Sequence, residues 1–173
     1  MLLLIVNLED FKIDDLHIIK LPEKIINRKN KYIKEYDKKI TILSYLLKKH
    51  LFFLLKKHYN FKIKYNKYHK PHLIDSELNK INFNISHHIN YIILVYDNNE
   101  EIGIDLIDSK VKCNINNLKK IFHKKEKNLL ANINNDIIKK KIFCRMWCFK
   151  EAYLKFIGTG IQTRDDLTTN YLI

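Results

Sequence analysis

The sequence predicts an α+β fold. After one apolar strand and a helical region, several strand-like segments follow one another, and a second helical region comes late in the chain. Grouped strands and helices without regular alternation are typical of α+β proteins rather than of parallel α/β folds. With 173 residues, 46% of them hydrophobic, the chain is long enough for one domain or two small lobes around a buried core.

One strand and one long amphipathic helix are predicted first. Residues 1–8 are apolar and lack a basic leader or a small-residue cleavage site, so they predict a strand rather than a signal peptide. Leu21-Pro22-Glu23 is typical of a helix start. Apolar residues then recur at helical spacing, which predicts a helix packed on a sheet. They are Ile40, Leu43, Leu46, Leu47, Leu51 and Leu54, opposite a face with Lys48, Lys49, Lys56 and Lys57.

Strands are predicted in the middle of the chain. Alternation predicts a strand at residues 61–65, followed by a polar loop from Lys70-Pro71 to Glu77. A hairpin meander is expected next, with strands at residues 82–86, 91–96 and 102–106.

Helices are predicted after the strands. The helical pattern begins at Asn116 and runs through Phe122. A long helix is expected from about Asn135 to Ile157, ended by Gly158 as a left-handed cap.

The charge balance indicates an acidic or phosphate-bearing partner. Lys and Arg number 32 against 19 Asp and Glu, for a net charge of +13. Only 3 of these cations are Arg, which weakens a nucleic-acid interpretation and is equally typical of A/T-rich coding. Three cysteines predict reduced thiols and a cytoplasmic location. No apolar run approaches the length of about 20 residues that spans a bilayer, so no membrane association is expected.

Acidic and basic side chains point to metal and phosphate chemistry. On the long helix Trp147, Glu151 and Lys155 share one face, although an ordinary surface ion pair is the alternative. Asp105 directly follows an apolar strand, where turn and cap roles are also common. Since Mg²⁺ needs only one or two carboxylates beside waters and phosphate oxygens, Asp105 and Glu151 could hold it on a diphosphate.

Further donors precede these acids in the chain. Ser86 and His87 are neighbours on a strand and point to opposite faces, so they are unlike a nucleophile and its base. They could bind phosphate, or they could be ordinary loop residues. Lys70 is held before the rigid Pro71. Cys144 and Cys148 lack the four ligands typical of structural zinc and are interpreted as buried thiols.

Five segments in order resemble a known family. They are Lys70-Pro71, Phe83 to His87, Gly103 to Asp105, Phe122 to Glu126 and Trp147 to Gly160. The chain resembles the 4'-phosphopantetheinyl transferases of the surfactin-synthetase-activating type, which are related to holo-acyl-carrier-protein synthase. The resemblance covers roughly residues 22–165.

The resemblance implies a fold and a reaction. The fold is a pseudo-twofold pair of similar α+β lobes, here residues 1–100 and a shorter lobe at 101–173, with coenzyme A in the cleft between them. The enzyme would transfer the 4'-phosphopantetheine group from coenzyme A to a serine of an apo acyl or peptidyl carrier protein, and 3',5'-ADP would leave. Such carriers are generally acidic, which suits the positive charge of this chain.

The resemblance also implies residue roles. Asp105 and Glu151 would hold Mg²⁺ or Mn²⁺, Lys155 would stabilise charge on the phosphates, and Glu151 would accept the serine proton with help from Glu126. The coenzyme A site would contain the following residues: Lys24, Arg28, Lys70, Ser86, His87 and Lys155.

Three departures from the family pattern keep alternatives open. Ile107 replaces a frequent third acid, His69 replaces a usual glycine, and the second lobe is expected to be short. A monomer is expected, or a dimer if the short lobe needs cover. The alternatives are a catalytically inactive relative that binds coenzyme A or carrier protein, and a basic nucleic-acid-binding module.

Overall fold

An antiparallel five-stranded sheet forms the centre of the protein. The computed structural model describes residues 1–17, 19–75, 77, 79–97, 99–109 and 122–159. The strands are β1 (Leu2–Asn7), β2 (Lys62–Tyr65), β3 (Pro71–Ile74), β4 (Lys80–His88) and β5 (Tyr91–Asp97). Their order in the sheet is β1-β5-β4-β3-β2, so β4 and β5 are central and β1 and β2 lie at the edges.

Helices flank the sheet. They are α1 (Ile13–His17), α2 (Glu23–Asn30), α3 (Glu35–Lys56), α4 (Lys124–Ala131) and α5 (Asp136–Ile157), and a short 3-10 helix spans Leu8–Asp10. Asn135 begins α5 by accepting hydrogen bonds from the amides of Ile137 and Ile138, and Gly158 ends it with a φ of 80°. None of the helices described is long and apolar enough to cross a membrane.

Helix α3 covers one face of the sheet. Its residues at helical spacing include Leu43, Leu47 and Leu51, which join Phe83 of β4 and Leu94 of β5 in one buried cluster. Each fully buried side chain of this kind contributes about 1.5–3 kcal/mol through its removal from water. This cluster is the main core and fixes which face of each strand points toward α3.

The other face of β4 and β5 carries a different set of buried residues. Because side chains alternate along a strand, Asn84 and Ser86 point away from the α3 core. The amide of Ile104 donates to the Asn84 side chain (3.0 Å), and Lys155 of α5 donates to Ser86 (3.1 Å). This second face therefore meets residues 101–105 and α5. A separate small core, centred on Phe122, Leu130 and Phe143, joins α4 to α5.

Several sequence-based predictions are confirmed. The α+β class, the first strand, the amphipathic α3, the β4–β5 hairpin and the long final helix with its Gly158 cap are all present. The predicted start near Asn116 lies outside the described residues, which exclude 110–121. The pseudo-twofold relation between two lobes stays a prediction.

Two predictions are wrong. The expected loop from Lys70 to Glu77 contains β3, which pairs with β2 and β4; Pro71 is its first residue, a position where proline is tolerated in a strand. Residues 102–106 are not a strand. The amide of Ile104 is bonded to the Asn84 side chain instead of to a neighbouring strand.

A buried carboxylate organises the turn after β3. Asp75 forms an ion pair with Lys56 at the end of α3 (2.7 Å). It also accepts hydrogen bonds from the amides of Glu77 (3.0 Å) and Asn79 (2.8 Å). The hydrogen bond from Lys56 is the largest cause of a pKa well below the ordinary value for Asp75, although burial opposes it.

Asp75→Asn is expected to lower the thermal stability at pH 7 by several degrees. The pKa of Asp75 is lower in the folded chain than its ordinary value of 3.8, so its stabilisation is complete above that value and disappears as the pH falls through the folded pKa. Thermal unfolding of both proteins from pH 7 down to acid should therefore show a difference that shrinks below about pH 4. The exposed Glu100→Gln serves as a control. A pH-independent difference would contradict the ion-pair explanation.

Candidate active site

Three predicted site residues meet at one point. Ser86 of β4 donates a hydrogen bond to Asp105 Oδ1 (2.8 Å). Lys155 of α5 donates to the same Asp105 oxygen (2.5 Å) and to Ser86 Oγ (3.1 Å). The side chain of Asp105 is 11% exposed and that of Lys155 30% exposed. A partly buried carboxylate, a hydroxyl and an ammonium thus form one connected group.

A glycine allows the two chain segments of the site to approach. A Cβ at Gly103 would overlap the carbonyl oxygen of Ala152 and lie 2.5 Å from the amide nitrogen of Phe156. Both atoms belong to the backbone of α5, so no side-chain rotation could relieve the overlap. Gly103 therefore lets residues 103–105 run directly against the helix that carries Lys155.

Glu151 lies one helical turn before Lys155 and is half-buried. The pKa of Glu151 is raised, first by burial and second by the negative charge of Asp105, while Lys155 opposes the shift. The second cause indicates that the charge of Asp105 acts on the Glu151 carboxylate. A divalent cation between the two carboxylates would offset this effect.

The donor set fits Mg²⁺ or Mn²⁺ bound together with phosphate. In the described part of the chain no three His, Cys, Asp or Glu side chains gather as a complete metal site. Mg²⁺ requires only one or two protein carboxylates when phosphate oxygens and waters supply the other ligands. Asp105 and Glu151 satisfy that requirement.

His87 and Ser86 face different directions on β4. The pKa of His87 is lowered, first by partial burial of the ring and second by the positive charge of Lys155, whereas Asp37 of α3 raises it. Asp37 belongs to the helix on the α3 face, while Ser86 lies on the α5 face. This placement agrees with the conclusion that Ser86 and His87 are not a nucleophile and its base.

Lys24 and Arg28 lie on the exposed side of α2, one turn apart. The pKa of the neighbouring Lys48 is lowered to about 8, first by burial and second by the charge of Arg28. No hydrogen bond or ion pair among the described residues joins Lys24 or Arg28 to Asp105 or Lys155. The two cations thus lie on an exposed face of α2.

Glu126 lies in a buried ion pair and not beside Asp105. Its Oε2 atom is 3.0 Å from Lys150 Nζ, and both side chains are 3% exposed. The same oxygen accepts a hydrogen bond from the amide of His123 (2.7 Å), completing a capping box at the start of α4. The spacing of a cap residue and a glutamate three positions later is the sequence signal for this structural role.

Lys70 makes other contacts, and its place in the coenzyme A site stays a prediction. Its ammonium group contacts Glu101 and two backbone carbonyl groups, not Asp105 or Ser86.

A cleft of about 650 Å³ has Asp105 in its lining, but not Glu151, Lys155 or Ser86. Gly103, Ile104, Asp105 and Ile107 line one side. Helix α5 lines the other side with residues that no sequence motif assigned to a cleft. They are Lys141, Cys144, Arg145, Cys148, Phe149 and Ala152. Their helical spacing on one face was the available signal. Burial, followed by the charge of Asp105, raises the pKa of Cys148 to about 11, so its thiol stays protonated at neutral pH.

Comparisons with known proteins identify the family of the chain. A model of the 4'-phosphopantetheinyl transferase superfamily matches residues 101–172, and one of the N-terminal part of a 4'-phosphopantetheinyl transferase matches residues 14–99. The chain belongs to the 4'-phosphopantetheinyl transferase family. The resemblance deduced from the order of the five motifs is thereby confirmed.

Curated relatives match about half of the chain. The L-aminoadipate-semialdehyde dehydrogenase-phosphopantetheinyl transferase of Xenopus laevis is 30% identical over 92 residues, which is 50% of this chain and 30% of the relative. The mouse protein of the same name is 31% identical over 101 residues, 53% of this chain and 33% of the relative. The 4'-phosphopantetheinyl transferase HetI of Nostoc is 36% identical over 86 residues, 49% of this chain and 36% of the relative. The matched part is about a third of these relatives' length.

One departure from the phosphopantetheinyl transferase pattern has a structural cost. His69, which replaces the usual glycine, has a φ of 65°. The loop therefore keeps a left-handed conformation that suits glycine, at a cost of about 1–2 kcal/mol for a residue with a Cβ.

Proposed function

We propose that this chain transfers the 4'-phosphopantetheinyl group from coenzyme A to a serine of an apo carrier protein and releases 3',5'-ADP. The observation that carries the proposal is the contact of Asp105 with both Ser86 and Lys155. Lys155 in turn lies one helical turn after Glu151. Phosphoryl transfer depends mainly on positioning and electrostatic stabilisation, and this group supplies both without a protein nucleophile. Family membership supports the same reaction.

A divalent cation belongs to the proposal. Asp105 and Glu151 would hold Mg²⁺ or Mn²⁺, which would neutralise charge on the diphosphate of coenzyme A. The position of Glu151 one helical turn before Lys155, which contacts Asp105, supports this assignment.

The residues of the chain have distinct parts in the transfer. The Lys155 ammonium would donate to phosphate oxygens, and Ser86 and His87 would bind the nucleotide phosphates. The serine oxygen of the carrier bonds to the β-phosphorus as the bond to the 3',5'-ADP oxygen breaks, and that oxygen keeps the electron pair. Glu151 accepts the serine proton, either directly or through a water molecule.

Two further sets of residues support the site. Lys24 and Arg28 would bind the adenine nucleotide, because they form an exposed basic surface on α2. Glu126 would act indirectly, because its buried ion pair with Lys150 fixes α4 against the helix that carries Glu151 and Lys155.

The proposed protein partner is an apo acyl or peptidyl carrier protein with an acidic surface. The net charge of +13 would accelerate the encounter with such a partner by electrostatic steering. A cytoplasmic location is proposed with it, because the sequence has three cysteines, and an odd and small number is typical of reduced thiols. We propose a monomer.

The test is a mass measurement on the carrier. The purified protein is incubated with coenzyme A, Mg²⁺ and a panel of apo carrier proteins, and each carrier is followed by intact mass. A phosphopantetheine mass gain that requires metal, disappears in Asp105→Ala and Glu151→Ala, and persists in the exposed Glu100→Ala is the expected result. Binding of coenzyme A without mass gain would indicate an inactive relative. Strongly salt-dependent binding to any polyanion, without mass gain, would indicate a nucleic-acid-binding module.

A further inference from the structure

One lysine joins the two chain segments that carry the proposed site. Lys70 Nζ donates to Glu101 Oε2 (2.6 Å), to the carbonyl oxygen of Ile102 (3.1 Å) and to that of Phe156 (2.8 Å). Lys70 is 8% exposed. An ammonium group has three N–H donors, so these three acceptors use all of them. Direct contact with a phosphate would require one of these bonds to break.

The loop before Lys70 fixes the position of its backbone. Asn66 Oδ1 accepts hydrogen bonds from the amides of Tyr68 and Lys70, both 2.9 Å long. The amide of Asn66 in turn donates to the Lys70 carbonyl oxygen (3.0 Å). Lys70 is therefore the last residue of a hydrogen-bonded loop, and β3 begins at the next residue, Pro71. Because the backbone of Lys70 is already fixed, only the side chain loses conformational freedom when its ammonium group binds the three acceptors.

The end of α5 rests directly on this loop. A Cβ at Gly158, the cap of α5, would lie 3.0 Å from both the side-chain nitrogen Nδ2 of Asn66 and Lys70 Cδ. The bond from Lys70 to the Phe156 carbonyl oxygen satisfies one of the acceptors that remain free in the last turn of a helix. A positive charge there is also favoured by the helix dipole.

The acceptors of Lys70 lie next to the site residues in sequence. Phe156 directly follows Lys155, and Ile102 precedes Asp105 by three residues, which an extended chain covers in about 10 Å. Burial alone would raise the pKa of Glu101, but hydrogen bonds from Lys70 and Lys80 lower it, so this carboxylate is charged and held from two sides. One ammonium group thus couples residues 101–102 to the end of α5.

We propose that Lys70 is a positioning residue, which holds the end of α5 against residues 101–102 and thereby keeps Lys155 and Glu151 aligned with Asp105. The inference rests on the proposed function for its catalytic part. It replaces direct contact with coenzyme A, which the family resemblance implied for Lys70, by an indirect role through three acceptors.

The first test separates positioning from cofactor contact. Lys70→Met keeps much of the length of the side chain and removes its charge. A displacement of Lys155 and Glu151 by about 1 Å relative to Asp105 is expected to reduce kcat by about 10- to 100-fold, while KM for coenzyme A changes by about twofold or less. An increase in KM for coenzyme A at unchanged kcat would overturn the proposal in favour of direct contact. Lys80→Met removes the other, exposed partner of Glu101 and should leave both constants near those of the wild type.

The second test does not require transferase activity. Hydrogen exchange of the amides from Tyr153 to Ile157 is expected to be roughly 10-fold faster in Lys70→Met than in the wild type, while exchange at the start of α5 stays the same. Unchanged exchange at the end of α5 would overturn the proposal even if the wild type proved inactive. If the wild type transfers no group to any carrier, the proposed function fails by itself.

A milder variant guards against loss of folding. Glu101→Gln keeps the Lys70 ammonium and its two carbonyl acceptors, and removes only the charge of one acceptor. Its effects on kcat and on exchange should have the same direction as those of Lys70→Met and be smaller. A lowered melting temperature with unchanged kcat and unchanged local exchange, in both variants, would show a purely structural role and overturn the proposal.

Discussion

Asp105→Asn is expected to lower the rate of phosphopantetheine transfer by about 10³-fold or more. The amide keeps the shape of the carboxylate but removes the charge that faces both Lys155 and Glu151. Without that charge the proposed Mg²⁺ would keep only the Glu151 carboxylate, and Lys155 would lose its anionic partner. The measurement is the initial rate of mass gain on the carrier over a range of Mg²⁺ concentrations.

Ser86→Ala is the matched comparison for Asp105→Asn. It removes a hydroxyl that touches both Asp105 and Lys155 without changing the charge of the site. A loss of about 10- to 100-fold is expected, because Ser86→Ala removes a neutral hydrogen-bonding group, whereas Asp105→Asn removes a charge. Two results would contradict the assignment of Asp105 as a metal-holding residue. In one, Asp105→Asn keeps more than about a tenth of the wild-type activity; in the other, Asp105→Asn loses less activity than Ser86→Ala.

Gly103→Ala is expected to reduce the free energy of unfolding by about 3 kcal/mol. The new Cβ would overlap backbone atoms of Ala152 and Phe156, which cannot rotate away. Either α5 or residues 103–105 must move, and both carry parts of the site. Denaturant unfolding measures the loss of stability, and the same protein should show reduced transfer at temperatures where it remains folded.

Gly158→Ala provides a control for Gly103→Ala. Gly158 has a φ of 80°, so alanine there is strained, but its Cβ would meet side-chain atoms of Asn66 and Lys70 at 3.0 Å rather than backbone. We expect a loss of about 1 kcal/mol for this left-handed position. A Gly103→Ala protein that is no less stable than Gly158→Ala would show that the contact between residues 103–105 and α5 is not tight.

The sequence was informative wherever a local pattern determined the structure. Strand-like composition predicted both β4 and β5, and helical spacing with a terminal glycine predicted α5. Motif order predicted Ser86, Asp105, Glu151 and Lys155, of which the structure brings Ser86, Asp105 and Lys155 into direct contact.

Long-range contacts explain what the sequence could not predict. The apolar pattern at residues 102–106 indicates an extended backbone but does not say whether a strand lies beside it, and the described structure has the Asn84 side chain there. Lys70 has partners 31, 32 and 86 residues away, so no local pattern identifies them. Glu126 matched a family motif, yet its partner Lys150 follows from the packing of α4 on α5.

The three contacts of the Ser86, Asp105 and Lys155 group also have a consequence for folding order. They span 19, 50 and 69 residues of sequence, so each must close a loop before it contributes stability. The core between α3 and the sheet draws its residues from positions 2–96, all of which precede Asp105 and Lys155 in the chain. We therefore expect this core to form during synthesis before the site can exist. Catalytic competence would then be the last property that the folding chain acquires, and a transfer assay would count only completely folded molecules.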